Sequence, residues 1–375
     1  MTTAILAVIA AAGLYGDAPD AKHAWSVHDW NRPKPVKVEP APYVKTAAPS
    51  DATVLFDGSR ESFERNWRDD KGGKPGWKYS DDGYFYTVPG WKNGGTIFTR
   101  EEFGDCQLHI EYRHDPDQLY FDKGPQMRGN SGVFLMGTQY GYEVQVLESY
   151  FTSREAEGTK EYVDNYADGQ AGAVYAENPP AVNPARRPGE WQVYDIVFHQ
   201  PVWKGETLLH PGSVTVFFNG VLVQDHWEME GQTTHLKRRP LAPQPVKGPL
   251  MLQDHGCEVE YRNIWLRPIP SRWDNLTHSA MSADPAKVME LRRETAAKLF
   301  AKVADPAAAT AENVKALAEV VMYSPDVRYA AAFWRALEAY RAKPGDAEEV
   351  KGVNRILDVL VRSGMATEDV KIKTN

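Results

Sequence analysis

Residues 106–113 read CQLHIEYR, and apolar and polar side chains alternate along this stretch at every position. Successive side chains of a β-strand point to opposite faces, so the apolar set from Cys106 to Tyr112 would share one face. The polar set from Gln107 to Arg113 would share the other. This period of two predicts a half-buried strand, with one face in a core and one toward solvent.

Further stretches of the same kind lie on the C-terminal side of this strand. They are GVFLM (132–136), YEVQVL (142–147), WQVYDIVF (191–198), LMLQDH (250–255) and VEYRNIWL (259–266). SVTVFF and VLVQ flank Asn219-Gly220, a pair that readily adopts the positive φ angles of a tight hairpin turn. Many short strands with turn residues between them and no intervening helices predict a mainly β fold, an antiparallel β-sandwich or barrel over residues 51–270.

After Pro270 the pattern becomes helical, and residues 271–375 are predicted to form a separate α-helical bundle. Asp284-Pro285, Thr310 and Asp346 are suitable residues for helix N-termini. A third helix between the last two would carry Ala330, Trp334 and Leu337. This part of the sequence contains no catalytic constellation, so we interpret it as a module that caps the first domain or docks a protein partner.

The first residues contain an apolar run, Ala4–Gly16, of the length found in the core of a signal peptide. We interpret residues 1–21 as a signal peptide and expect an exported protein, periplasmic or extracellular. A buried N-terminal helix or a misplaced start codon are the alternatives. The run is too short to cross a bilayer, and no other stretch is apolar enough to do so.

Residues 22–50, the proline-rich segment, contain closely spaced prolines from Pro33 to Pro49. Proline lacks the backbone N–H that helices and sheets require. We therefore expect an extended linker, or a strap lying on the domain surface.

The charge and composition of the chain argue against binding of nucleic acid. The chain has 375 residues and a formal net charge of −8, without the concentrated basic face that binding of nucleic acid requires. Eleven Trp and eighteen Tyr are consistent with core packing or with platforms for sugar rings. The two cysteines, Cys106 and Cys257, would form one bridge or remain two core thiols.

The first candidate site lies on the strand that starts at Tyr142. Glu143 and Gln145 point to one face of this strand, and Glu148 would join them if a bulge intervened. This pattern resembles the acid-x-acid strand of family-16 glycoside hydrolases. Gln145 in the middle position counts against a double displacement, which needs two carboxyl groups. A solvated strand face is the alternative.

Two further groups of polar residues accompany strands. Gln253 and His255 would lie on the same side of their strand, and histidine is suited to carry a proton or bind a metal near neutral pH. Arg128 and Asn130 precede another strand and offer donors for a sugar hydroxyl or a developing oxyanion. The alternatives are a histidine that is merely hydrogen-bonded and a loop held together by the asparagine.

Several motifs together carry a resemblance to a known family. They are VLFDG (54–58), RGNSGVFL (128–135), YEVQVLES (142–149), PGEWQVYDIVF (188–198), VTVFFNGVLV (214–223) and LQDHGCEVEYRNIWLRP (252–268). In this order they resemble the 3-keto-disaccharide hydrolase domain family, and WSVHDWNRPKP (25–35) resembles the lead-in of one bacterial subgroup. The resemblance implies a concanavalin-like jelly-roll sandwich, usually exported, that acts on sugars oxidised to a ketone at carbon 3.

Some members of this family resemble lyases, and the chemistry favours that route. A ketone at carbon 3 acidifies the proton on carbon 2, so a base can remove it and expel the aglycone from carbon 1. The substrate class expected is an oxidised disaccharide or glucoside. A non-catalytic lectin-like module and an ordinary two-carboxylate glycosidase are the alternative functions.

The roles expected from this chemistry fall on the residues singled out above. His255 or Glu143 would be the base, with Glu148 as the alternative proton carrier. The residues expected to orient the sugar or stabilise the enolate are Arg128, Asn130, Gln145 and Gln253. The sequence does not identify a cofactor. The one candidate is a divalent metal ion held by Glu143, Glu148 and His255.

Overall fold

The structure, a computed structural model, describes residues 16–90, 94–118, 124–137, 141–152, 162, 164–270 and 285–373. The chain divides into two compact units, residues 1–271 and 272–375. The apolar run of the expected signal peptide lies almost wholly outside the described residues, so export stays a prediction. None of the described helices is long and apolar enough to cross a membrane.

The first unit is built from β-strands, which confirms the mainly β fold predicted for it. In chain order the strands are β1 (Val36–Lys37), β2 (Thr53–Phe56), β3 (Trp67–Arg68), β4 (Lys78–Ser80), β5 (Tyr84–Tyr86), β6 (Ile97–Phe103), β7 (Cys106–Arg113), β8 (Ser131–Leu135), β9 (Tyr142–Val146), β10 (Val182–Asn183), β11 (Gln192–His199), β12 (Val202–Lys204), β13 (Thr207–His210), β14 (Ser213–Phe218), β15 (Val221–Glu228), β16 (Gly248–Leu252) and β17 (Glu260–Pro268).

Two antiparallel sheets contain most of these strands. The larger sheet has the order β15-β14-β11-β7-β17-β5-β4, and β2 also pairs with β17. The second has the order β3-β6-β16-β8-β9. One hydrophobic core takes side chains from both sheets, among them Leu108 and Tyr112 of β7 and Val144 and Val146 of β9.

The hairpin predicted at Asn219-Gly220 is confirmed, because β14 pairs with β15 and the two residues have φ angles of 52° and 79°. The expectation of no helix between the strands is wrong, because the described part of the first unit contains an α-helix and several short 3-10 helices between strands. Helix α1 (Arg60–Asn66) follows Ser59, whose side chain accepts a hydrogen bond from the Ser62 amide. Its Phe63 is buried in the core between the sheets.

Strand β7 differs from the prediction, because its polar face is not exposed to solvent. His109 and Glu111 are both fully buried. Tyr43 of the proline-rich segment donates a hydrogen bond to Glu111, and Arg262 Nε lies 2.7 Å from the same carboxylate. His109 Nδ1 lies 2.6 Å from Asp195 Oδ1. A segment distant in sequence therefore covers the face that local alternation assigned to solvent.

Both cysteines are buried and neither forms a disulfide. Of the two alternatives left open by the sequence, Cys106 and Cys257 are therefore core thiols. Burial raises the pKa of Cys106, so this thiol stays protonated and unreactive.

The second unit is helical and has a core of its own. Its helices are α2 (Pro285–Phe300), α3 (Ala311–Tyr323), α4 (Val327–Ala342) and α5 (Ala347–Arg362). The side chains of Thr310 and Asp346 cap α3 and α5, as predicted, whereas Asp284 lies outside the described residues. The predicted helix that carries Ala330, Trp334 and Leu337 is α4, in which Leu337 is buried and Trp334 is 40% exposed.

Candidate active site

A cavity of about 250 Å³, here called the β9 cavity, opens beside strands β8 and β9 of the second sheet. Its walls are formed by Asn130, Phe134, Glu143, Gln145, Tyr175, Thr233, Thr234, His235, Gln253 and His255. Five of the seven residues singled out from the sequence lie in this wall. The structure thus brings together side chains from β9, from the start of β8 and from the loop after β16.

Strand β9 positions Glu143 and Gln145 by simple alternation. Tyr142, Val144 and Val146 point into the core, which leaves Glu143 and Gln145 on the opposite face. The alternative of a solvated strand face is wrong, because both side chains are buried. The reason is that other segments lie across it: the Glu143 amide, for example, donates to Thr233 Oγ1 at 2.9 Å.

The carboxyl group of Glu143 has an unusual environment. Burial raises its pKa well above the ordinary range, and no cation among the described residues offsets this effect. Its carboxyl group makes no hydrogen bond to the described residues. The raised pKa favours the protonated form of the Glu143 carboxyl group, which is suited to donate a proton.

The backbone of strand β8 at Gly132 lies directly against the carboxyl group of Glu143. A Cβ atom on Gly132, in the neighbouring strand β8, would lie 2.5 Å from Glu143 Oε1. Glycine at this position therefore allows the carboxyl group to lie against the sheet.

His255 lies in the loop after β16, not in the strand where the sequence placed it, because β16 ends at Leu252. Asp254 braces this loop: its carboxylate accepts hydrogen bonds at 2.9 Å from the amides of Gly95 and Gly256. Gly256 has a φ of 77°, which favours glycine. Burial lowers the pKa of His255, so the imidazole is neutral near pH 7 and can accept a proton.

Tyr175 and His235 form a further part of the cavity wall, which was not predicted from the sequence. The Tyr175 hydroxyl lies 3.1 Å from His235 Nδ1 and 3.4 Å from the Tyr166 hydroxyl. Burial lowers the pKa of His235 and raises that of Tyr175, so both are neutral near pH 7. The only available signal was a histidine in the sequence TTH within the long connection between β15 and β16.

A residue of the proline-rich segment lies behind this wall. The His28 ring stacks on Tyr166 at 4.1 Å between centroids and lies 5.5 Å from the His235 ring. Asp168 fixes its orientation, since the carboxylate accepts from the His28 amide at 3.0 Å and contacts Nδ1 at 3.2 Å. The segment that precedes the sheets thus reaches the rear of the β9 cavity.

Three amide side chains complete the lining. Asn130 donates to the Gln126 carbonyl at 2.8 Å, which fixes its orientation. The side-chain oxygens of Gln145 and Gln253 are buried without a hydrogen-bond partner among the described residues. Buried acceptors of this kind are available to the hydroxyl groups of a bound sugar.

Arg128 and Glu148, the other two predicted site residues, do not line the β9 cavity. Their side chains form a buried ion pair, with Arg128 Nη2 at 2.6 Å from Glu148 Oε2. The bulge that would have turned Glu148 toward Glu143 does not occur, since β8 and β9 pair without a shift and β9 ends at Val146. Burial raises the pKa of Glu148, and Arg128 opposes that rise.

The metal site expected from Glu143, Glu148 and His255 is not assembled. Within the described part of the chain, no three His, Cys, Asp or Glu side chains are close enough to hold a metal ion together. The donor set of the β9 cavity therefore does not fit a resident metal ion.

The chain is similar to one protein family and to several solved structures. The family model described as a 3-keto-alpha-glucoside-1,2-lyase-like domain matches residues 51–267. A crystal structure from Parabacteroides distasonis ATCC 8503, provisionally named a glycosyl hydrolase, is 36% identical and has a TM-score of 0.51. The match covers 62% of this chain and 94% of that one.

A second structure from the same organism, with the same provisional name, is 21% identical with a TM-score of 0.39, covering 58% of this chain and 94% of that one. No curated protein matches the chain.

Proposed function

The chain belongs to the family of 3-keto-alpha-glucoside-1,2-lyase-like domains, and on this basis we propose that it cleaves glycosides oxidised at carbon 3, by β-elimination. Family membership makes it a carbohydrate-active protein. The observation that carries the finer proposal is the pairing, in one cavity, of a carboxyl group with a raised pKa and a histidine with a lowered pKa. Such opposed shifts assign an acid and a base.

In this reaction the neutral His255 removes the proton from carbon 2. The electron pair of that C–H bond forms the double bond between carbons 1 and 2 as the bond from carbon 1 to the aglycone oxygen breaks. Glu143 protonates the departing oxygen, so the aglycone leaves as an alcohol and the ketone is retained. Later addition of water to the double bond would give net hydrolysis.

The amide groups orient the sugar in this scheme. The side-chain oxygens of Gln145 and Gln253 accept from ring hydroxyls, and Asn130, whose amide nitrogen donates to the carbonyl and side-chain oxygens of Gln126 at 2.8 and 3.2 Å, forms part of the wall around the sugar. The concanavalin-like jelly roll implied by the family resemblance is part of the same proposal, as are export and a docking role for the helical unit.

An ordinary glycosidase is the less favoured alternative. That reaction needs two carboxyl groups flanking the scissile bond. Among the described residues of the cavity wall, Glu143 is the one carboxyl group, and Glu148 is engaged by Arg128. A lectin-like module would have no use for an acid and a base with opposed pKa shifts.

The test is incubation of the protein with a 3-keto-glucoside and, separately, with its unoxidised parent, each with and without a chelator. We expect the aglycone to be released from the keto form alone. The variants Glu143→Gln and His255→Asn should lose this activity. Release from the parent would establish an ordinary glycosidase instead. Binding of either sugar without cleavage would favour the lectin-like module, and loss of cleavage with chelator would require a metal ion.

A further inference from the structure

A second cavity, of about 190 Å³, lies between the proline-rich segment and the rest of the first unit. We call it the Trp25 cavity. Trp25 and Arg32 line it from the proline-rich segment, and Glu177, Trp227 and Glu230 line it from the rest of the unit. Residues 22–50 precede the part of the chain that the family model matches, residues 51–267. This cavity is therefore built in part by residues outside the family match.

The Trp25 cavity and the β9 cavity are neighbours. Tyr175 lines the β9 cavity, while Ala176 and Glu177, the next two residues, line the Trp25 cavity. Two residues span at most about 7 Å, so the two walls are close in space. A third, small cavity shares Tyr175 and Thr234 with the wall of the β9 cavity and Glu177 and Glu230 with the wall of the Trp25 cavity.

Arg32 gives the Trp25 cavity hydrogen-bond donors that the protein does not fully use. Its guanidinium group donates to the Glu177 carbonyl at 3.2 Å. Among the described residues, no carboxylate forms an ion pair with it, although Asp168, Asp29 and Glu230 act on it from farther away. Burial lowers the pKa of Arg32, but an arginine remains charged at neutral pH.

Aromatic surface accompanies these donors. Trp25 is 36% exposed. Trp227 is held in place because its indole N–H donates to Glu177 Oε2 at 2.9 Å. An apolar ring beside fixed polar donors suits a pyranose, which has apolar ring faces and hydroxyl groups at its edge.

The wall that carries Trp25 is anchored to the unit. Arg238 donates to the Trp25 carbonyl at 2.7 Å and to the Ala18 carbonyl at 2.9 Å. Three residues further on, His28 is held by Asp168 through both its amide and its ring. A site fixed in this way loses little conformational freedom when a ligand binds.

We propose that the Trp25 cavity is a subsite for the leaving-group sugar, so that the preferred substrate is a disaccharide or longer oligosaccharide whose oxidised ring occupies the β9 cavity. This inference rests on the proposed function. It assigns Trp25 and Arg32 to recognition of the substrate and not to the chemistry.

The experiment compares 3-keto derivatives of methyl α-glucoside and of a set of α-linked glucose disaccharides that differ in linkage. We expect Trp25→Ala and Arg32→Gln to lower kcat/KM about tenfold or more for the best disaccharide, mainly through KM. Both variants should leave the methyl glycoside within about twofold, because that substrate does not reach the subsite. Trp334→Ala, which removes a comparably exposed tryptophan from the helical unit, should change neither.

The outcomes separate the two proposals. Cleavage of the methyl glycoside with no advantage for any disaccharide, or equal losses on both substrates in the variants, would overturn the subsite and leave the elimination chemistry standing. Failure of the unaltered protein to cleave any keto substrate would overturn both. Arg32→Lys, which keeps the charge, should recover part of the disaccharide activity lost in Arg32→Gln.

Discussion

Arg128 Nη2 lies 2.6 Å from Glu148 Oε2, and the protein shields both side chains from solvent. Removing one member of a buried ion pair leaves the other charge without compensation. We expect Glu148→Gln to lower the free energy of unfolding of the sheet unit by about 3–5 kcal/mol, measured by urea unfolding. Far below the unfolding temperature, kcat should change only severalfold.

A matched control is available on the surface. Glu61 pairs with Arg65 at 3.1 Å, but both side chains are more than half exposed. Glu61→Gln should therefore cost no more than about 1 kcal/mol. If Glu148→Gln abolished turnover without loss of stability, Glu148 would carry a proton in the reaction after all.

The activity should depend on pH in a bell-shaped manner. Activity rises as His255 loses its proton, at a pH below the ordinary histidine value of 6.5 because burial lowers its pKa. It falls as Glu143 ionises, well above the ordinary glutamate value of 4.5 because burial raises its pKa. The profile of kcat/KM for a 3-keto-glucoside tests this.

Replacement of the acid should change the shape of that profile. Glu143→Gln should lower kcat by about 10²–10⁴-fold and remove the alkaline limb. An alkaline limb that persisted in Glu143→Gln would assign it to another group.

Gly132→Ala should impair catalysis more than folding. The added methyl group would meet Glu143 Oε1 at 2.5 Å, and the end of that side chain can move away. The displaced carboxyl group would lower kcat about tenfold or more, because small shifts in catalytic geometry are costly. Turnover and urea unfolding, measured on the same preparation, separate the two effects.

Gly352→Ala is the control for that substitution. Gly352 lies inside α5 with no atom near the position of the new methyl group. Alanine there should stabilise the helical unit by about 1 kcal/mol and leave turnover unchanged. Unchanged kcat in Gly132→Ala would contradict the placement of Glu143 at the reacting bond.

The polar cluster on β7 should make stability depend on pH. Burial lowers the pKa of His109, but the hydrogen bonds that its ring donates to Asp195 and Glu111 outweigh this effect and raise the pKa to about 9. A raised pKa stabilises the folded state fully below the unfolded value of 6.5, and this contribution is lost as the pH rises through about 9. Asp195→Asn should therefore lower the free energy of unfolding at pH 6 and have little effect at pH 10.

The same cluster has an acid limit. Glu111 is buried, which raises its pKa, but His109, Asn263 and Arg262 lower it to about 2. Its contribution to stability is present above the unfolded value of 4.5 and is lost as the pH falls toward 2. The contrary result would be a difference in the free energy of unfolding, between Asp195→Asn and the unaltered protein, that stays constant from pH 6 to pH 10. It would show that His109 is not charged in the folded state.

Local features of the fold followed from the sequence alone. The strand at residues 106–113, the hairpin at Asn219-Gly220 and the helix caps at Thr310 and Asp346 all depend on residues a few positions apart. Alternation, turn geometry and capping act over this range, so the pattern of side chains was sufficient. For the same reason Glu143 and Gln145 were assigned to one face of β9.

Contacts between distant segments were decided only by the tertiary structure. Glu148 was expected beside Glu143, but β9 ends two residues before it. Its carboxylate instead forms an ion pair with Arg128. The polar face of β7 is buried because Tyr43, far away in the chain, lies on it. His235 joined the candidate site by the same kind of contact, since no local pattern shows which loop packs against which sheet face.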